Sequence, residues 1–131
     1  LEVYRRYAHL RMRLLDLIHE DALDLSARGV PLMRYPALEH PEEHDFLVRD
    51  PYAYLFGRDL LVAPVVDKGV FAREVLLPPG RWLEAWSGAG FEGPRALQAS
   101  AGLERIPVFV RADSPRAARW LAAFAGEGTD G

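Results

Sequence analysis

Between Tyr4 and Ser26, apolar residues recur at Tyr7, Leu10, Leu14, Leu17, Ile18, Ala22 and Leu25, with Arg, Asp and Glu between them. That spacing predicts an amphipathic helix, ended by Gly29 and Pro31 in the manner of a helix C-terminus. Val30 to Tyr35 then reads as a short strand, so the chain opens with half of an α/β unit. A second stripe through Met12, Leu15 and Ile18 makes the apolar face of the helix wider than one strand can cover. The expectation is that helix and strand have neighbours outside this sequence, and that the chain, which begins at Leu1, is part of something longer.

The pattern changes at Tyr54-Leu-Phe-Gly-Arg-Asp-Leu-Leu-Val-Ala-Pro-Val-Val66. Leu60 to Ala63 is an apolar run too short for a helix, bounded by a Gly-Arg-Asp turn and by Pro64, which suits a strand buried on both faces. Gly57 can take positive φ and so allows a sharp turn before that strand. Residues 36–53, with three prolines and several acidic groups, read as an ordered loop with one helical turn after Pro41. Beyond the hinge, Asp67-Lys-Gly69 reads as a turn and Arg73 to Leu77 as a strand closed by Pro78-Pro-Gly80. Arg81 to Trp86 reads as a strand with both tryptophans on one face, Ser87 to Pro94 as a Gly-rich loop, and Leu103 to Arg111 as a strand in which Pro107 favours an edge or a bulge. Ser114 caps a predicted terminal helix running to Ala125, with Pro115 at its first position and a frayed tail from Gly126.

Composition narrows the partners more than the fold. The 131 residues are 50% hydrophobic and 27% charged with a net charge of -3, which fits one modest globular core and gives no basic field for nucleic acid or an anionic membrane. There is no Cys, so neither a disulfide framework nor a thiolate metal site can form.

The motifs Pro31-Leu-Met-Arg34, Tyr54 to Val65, Leu77-Pro-Pro-Gly-Arg-Trp82, Trp86-Ser-Gly88 and Arg105-Ile-Pro-Val-Phe-Val-Arg-Ala112 occur in that order. The series, spanning roughly residues 5–112, resembles the C-terminal part of family 31 glycoside hydrolases, the α-glucosidase and α-xylosidase group. The resemblance implies a division into residues 1–53, the last helix and strand of an (α/β)8 barrel, and 54–112, a mainly antiparallel β-sandwich-like domain beside it; residues 113–131 fall outside it and read, from their own composition, as a short helix and tail. It implies retaining hydrolysis of α-linked sugars through a covalent glycosyl-enzyme, with carbohydrate reaching the protein through the barrel and no cofactor or metal. None of the motifs that carry the family's catalytic aspartates occurs here, so no residue receives a catalytic role and the chain alone is expected to be inactive. Asp113-Ser-Pro115 departs from the Gly-Ser and further strand with which the family continues.

The residues themselves admit other chemistry. Trp82 and Trp86 could stack on a sugar ring, as a standalone carbohydrate-binding or interaction module would require, but such a pair more often serves core or interdomain packing. Gly88-Ala-Gly-Phe-Glu-Gly93 matches G-x-G-x-x-G and, with Asp113 downstream, would place Gly88, Gly90 and Gly93 in a nucleotide-binding turn. Its flanks lack the buried strand and crossover helix that such a turn requires, which favours a hairpin loop. His40, His44, Glu43 and Asp45 read as a solvated acidic loop and His19-Glu20 as a polar helix face. Ser87 lacks a nucleophile elbow because Ala85 fills the first Gly position. Arg34 and Glu39 read as a structural ion pair.

Overall fold

The computed structural model describes residues 2–64, 72–100 and 106–129. Its first element is the predicted helix, α1 (Glu2–Ala27). Leu10, Leu17 and Leu25 are buried along its inner stripe, with Leu14 and Ile18 packed beside them, while Met12, Leu15 and Leu23 stay exposed. The helix ends in a Schellman turn. The Gly29 N–H donates to the Ser26 carbonyl (3.1 Å), the Val30 N–H reaches back to Leu25 (2.8 Å), and Gly29 takes the positive φ of 70° that this closure needs.

Six strands form one sheet in which every neighbouring pair is antiparallel, in the order β1-β2-β3-β6-β4-β5. The short β1 (Met33–Arg34) pairs with β2 (Tyr54–Phe56), and between them lie α2 (Pro36–Glu39), a 3-10 turn (Pro41–Glu43) and α3 (His44–Leu47). A three-residue turn through Gly57 (φ 65°) joins β2 to β3 (Leu60–Val62). β3 is covered on both sides, as its unbroken apolar run requires: Leu60 and Val62 belong to one core and Leu61 and Ala63 to the other.

Two expected strands are one. β4 (Ala72–Glu84) runs through Pro78 and Pro79 rather than stopping there, and pairs with β5 (Gly90–Ser100) on both sides of a register shift between Leu77 and Gly80. A proline cannot donate to a ladder, and the irregularity places both prolines where pairing is already interrupted. Only the second half of β4 also pairs with β6 (Val108–Arg111), yet Val75 and Leu77 of the first half share a core with Leu55, Leu61 and Phe109. The long hairpin therefore curls over its own face, closing the sandwich-like core around Trp82. The supposed Gly-rich loop is in large part strand: Phe91 pairs with Trp82 and meets Phe109 edge-on, 6.2 Å between ring centres.

Pro107 sits neither at an edge nor in a bulge. It precedes β6, an interior strand, and its carbonyl accepts the Ala63 N–H at 2.9 Å. Ser114 closes a turn ahead of the last helix, its hydroxyl accepting the Arg116 N–H at 3.1 Å; regular helix begins two residues beyond Pro115, as α4 (Ala117–Thr129), so the serine is not its cap residue. α4 continues past Gly126, where a frayed tail was expected, because extending an existing helix is far easier than starting one. α1 and α4 pack together over one sheet face through Leu10, Leu17, Trp120 and Phe124. The expected turn at Asp67–Gly69 and the Leu103–Arg105 part of the predicted strand lie outside the described residues.

Candidate functional site

The hinge turn at Gly57–Asp59 is the most densely connected polar locus. Asp21 projects from the apolar stripe of α1, between Leu17 and Leu25 at i, i+4, i+8 spacing, and is fully buried. Its carboxylate accepts the Arg58 backbone N–H (3.2 Å), Arg58 Nε (2.7 Å) and Arg116 Nη2. Asp59 accepts Arg116 Nη2 (2.7 Å) and Nε (3.1 Å) and the Trp120 indole N–H (2.9 Å). Glu20 completes the group at the surface, joined to Arg116 and Arg119. Its hydrogen bond to Arg119, the largest influence, holds its carboxyl below the ordinary value, although partial desolvation opposes this. The network ties helix α1, the hinge and helix α4 into one unit. Both buried carboxylates are engaged by arginines, so neither is placed to attack or protonate a substrate.

On the other side of the hinge, Arg34 pairs with Glu39 through Nε and donates to the carbonyls of Pro31 (2.9 Å), Leu32 (3.3 Å) and Gly57 (2.7 Å). The expected structural pair is present, and it also fixes β1 against the turn. Its neighbourhood is apolar and open: a groove of about 310 Å3 is lined by Met33, Arg34, Tyr35, Pro51, Tyr52, Ala53 and Tyr54.

The two tryptophans do not share a face. Trp82 is fully buried in the sandwich core, donating its indole N–H to the Pro78 carbonyl at 3.0 Å. Trp86 packs into the helix-covered core, edge-on to Phe124 at 5.0 Å, with its N–H on the Ile106 carbonyl (2.9 Å). Period-two alternation fails because β4 ends at Glu84 and residues 85–87 turn. A ring as enclosed as Trp82 offers no face to a sugar.

The G-x-G-x-x-G match is a hairpin. Gly88 (φ 80°) lies in the turn between β4 and β5, while Gly90 and Gly93 lie on β5, opposite Leu83 and Gly80. Strand β5 rather than a helix follows the motif, so no helix N-terminus opens there to receive a phosphate, which speaks against the nucleotide-binding reading. His40 faces Glu42 (3.4 Å) and His44 faces Asp45 (3.5 Å); among the described residues no three ligand-type side chains gather into a metal site. Ser87 is exposed, its hydroxyl accepting the Ala89 N–H at 3.2 Å, and His19 lies on the exposed face of α1. The Asp21–Arg116–Asp59 cluster escaped sequence reasoning. Its one sequence signal is an aspartate in the middle of a leucine stripe.

A six-stranded antiparallel sheet, folded over a tryptophan core and covered on one face by α1 and α4, defines a mainly β domain. Residues 29–114 match the model of the glycosyl hydrolase family 31 C-terminal domain, and the chain belongs to that family. It is 38% identical over 108 residues to an isomaltosyltransferase of Sporosarcina globispora, covering 82% of this chain and 10% of the relative. It is 39% identical over 107 residues to the sulfoquinovosidase of Escherichia coli (strain K12), covering 81% of this chain and 15% of the relative. The solved structure of a family 31 sulfoquinovosidase from E. rectale superposes with a TM-score of 0.81 at 28% identity, over 92% of this chain and 18% of that one. The chain therefore spans less than a fifth of the length of each of these proteins.

Proposed function

We propose that this chain is the C-terminal portion of a larger retaining α-glycoside hydrolase acting on α-glucosides or related α-linked sugars. In this reading residues 1–53 complete an (α/β)8 barrel, 54–112 form the β domain beside it, and 113–131 add a terminal helix. One observation carries the reading beyond family membership. Among the described residues, the large apolar side chains left exposed are Met12, Leu15, Leu23, Met33, Tyr35, Leu38, Val48 and Tyr52, all before the hinge, with Ile106 alone after it. Exposed apolar side chains so confined to one stretch of the chain point to a surface covered by another body. The barrel is that body, because the last helix and strand of a closed ring must meet the first.

The chemistry then belongs to the barrel. Retaining hydrolysis uses two carboxylates about 5–5.5 Å apart, one attacking the anomeric carbon and the other donating and then accepting a proton. The buried carboxylates of this chain are bound to arginines, so the chain alone is inactive and its role is to hold the end of the barrel in place. The test is the mass of the native polypeptide, detected with an antibody against this chain, followed by aryl α-glycoside hydrolysis by that product. A product several times larger than 14.7 kDa that hydrolyses the glycoside is the expected result. A product of about 14.7 kDa would overturn the reading.

A further inference from the structure

Arg111 ends β6 on the sandwich-core side of the sheet. Its guanidinium carbon lies 4.6 Å from the centre of the Trp82 ring, and its Nε donates to the Arg58 carbonyl at 3.3 Å. Among the described residues, no acceptor meets either terminal nitrogen. Among the described residues, Arg34 is matched by Glu39, Arg73 by Asp50, and Arg116 by Asp21 and Asp59. Burial is the main influence on Arg111 and disfavours its charge; Asp113, Glu39 and Asp59 oppose this only through space. An arginine stacked on an aromatic ring presents a pre-set planar fork, its outer edge open, suited to a carboxylate. Arg34, close enough to repel Arg111, and its partner Glu39 belong to the same segment as the exposed Met33, Tyr35 and Leu38. Arg111 thus lies within electrostatic reach of the segment assigned above to the barrel interface.

We propose that the terminal nitrogens of Arg111 receive a carboxylate side chain from the catalytic portion of the longer polypeptide, which fixes the β domain against it. This rests on the reading in the preceding section. It is tested with Arg111→Gln and Arg111→Lys, each made in the longer polypeptide and in the 131-residue chain, with urea unfolding as the readout. In the longer polypeptide Arg111→Gln should lower the folded-to-unfolded ratio at least tenfold, since removing one partner of a desolvated charge pair strands the other. In the short chain it should cause no such loss. Arg111→Lys retains the charge over Trp82 but lacks the fork and the Nε bond to the Arg58 carbonyl, so it should lose less than tenfold in the short chain and at least tenfold in the longer one. Equal losses at both lengths, or none at either, would overturn the proposal. So would a wild-type longer polypeptide stabilised by acetate over chloride at equal ionic strength, which would make the occupant a free anion. Glycoside hydrolysis is read separately, so failure here leaves the glycosidase reading standing or falling by its own assay.

Discussion

Replacing Asp21 by alanine removes the acceptor on which helix α1, the hinge turn and helix α4 converge. Asp21 is fully buried, and its carboxylate meets three donors, two from Arg58 and one from Arg116. Breaking a buried pair by deleting one partner costs about 3–5 kcal/mol. Two features place the loss near the lower end. Arg116 keeps Asp59 at 2.7 Å, and the Arg58 side chain, 35% exposed, can turn to water. The Arg58 backbone N–H, by contrast, is left without its acceptor. The expected loss is therefore about 3 kcal/mol, a large part of the 5–15 kcal/mol that holds a typical domain. A second substitution shows whether the geometry is right. A Cβ at Gly57 would lie 2.1 Å from Asp21 Oδ2, and the φ of 65° adds strain of about 1–2 kcal/mol for any residue with a side chain. Gly57→Ala alone should carry both penalties, whereas in the Asp21→Ala background only the backbone strain remains. Urea unfolding followed by tryptophan fluorescence measures all four corners of this cycle. A loss below about 1 kcal/mol for Asp21→Ala, or additivity within about 0.5 kcal/mol, would refute the network as described.

Three further outcomes follow from the same geometry. Gly93→Ala should destabilise the β4–β5 hairpin strongly, because its Cβ would fall 2.0 Å from the Pro78 carbonyl oxygen, while Gly90→Ala, whose nearest neighbour is Leu83 Cδ2 at 3.7 Å, should stay within about 0.5 kcal/mol of the parent; thermal unfolding separates them. Trp82→Ala should cost about 3–5 kcal/mol as a fully buried ring that also loses its bond to Pro78, and Trp86→Ala should cost less, by the same assay. The lowered pKa of Glu20 means that the folded state favours its ionised form, so its contribution is fully present above the ordinary value of 4.5 and fades as pH falls through the lower folded value. The stability difference between the parent and Glu20→Gln should shrink across that window and weaken in high salt, as its exposed position requires.

Local rules made much of the fold legible. The helical spacing from Leu10 to Leu25 marked the buried stripe of α1, Gly29 its end, and the Leu60–Ala63 run a strand covered on both faces. What failed depended on contacts distant in sequence. Pro78 and Pro79 look like a stop, and only the pairing of β4 with β5 on both sides of them shows a bulge within one strand. Alternation put Trp82 and Trp86 on one face because nothing local announces that the strand ends at Glu84. Pro107 was read for an edge, and the sheet order made β6 interior. The polar cluster at the hinge joins residues nearly a hundred positions apart, Asp21 and Arg116, which no spacing rule connects. Its signal was the misplaced acid in the leucine stripe, a pattern legible only once burial demands a partner.

On the function proposed above, this chain completes a retaining α-glycosidase whose catalytic carboxylates lie elsewhere in the polypeptide. The measurement that meets it most directly is proton NMR of aryl α-glucoside hydrolysis by the longer polypeptide, read within the first turnovers before the released sugar mutarotates. The account predicts the α-anomer as the first product, with no hydrolysis by the 131-residue chain alone. A first product of β configuration, or hydrolysis by the short chain itself, would contradict it.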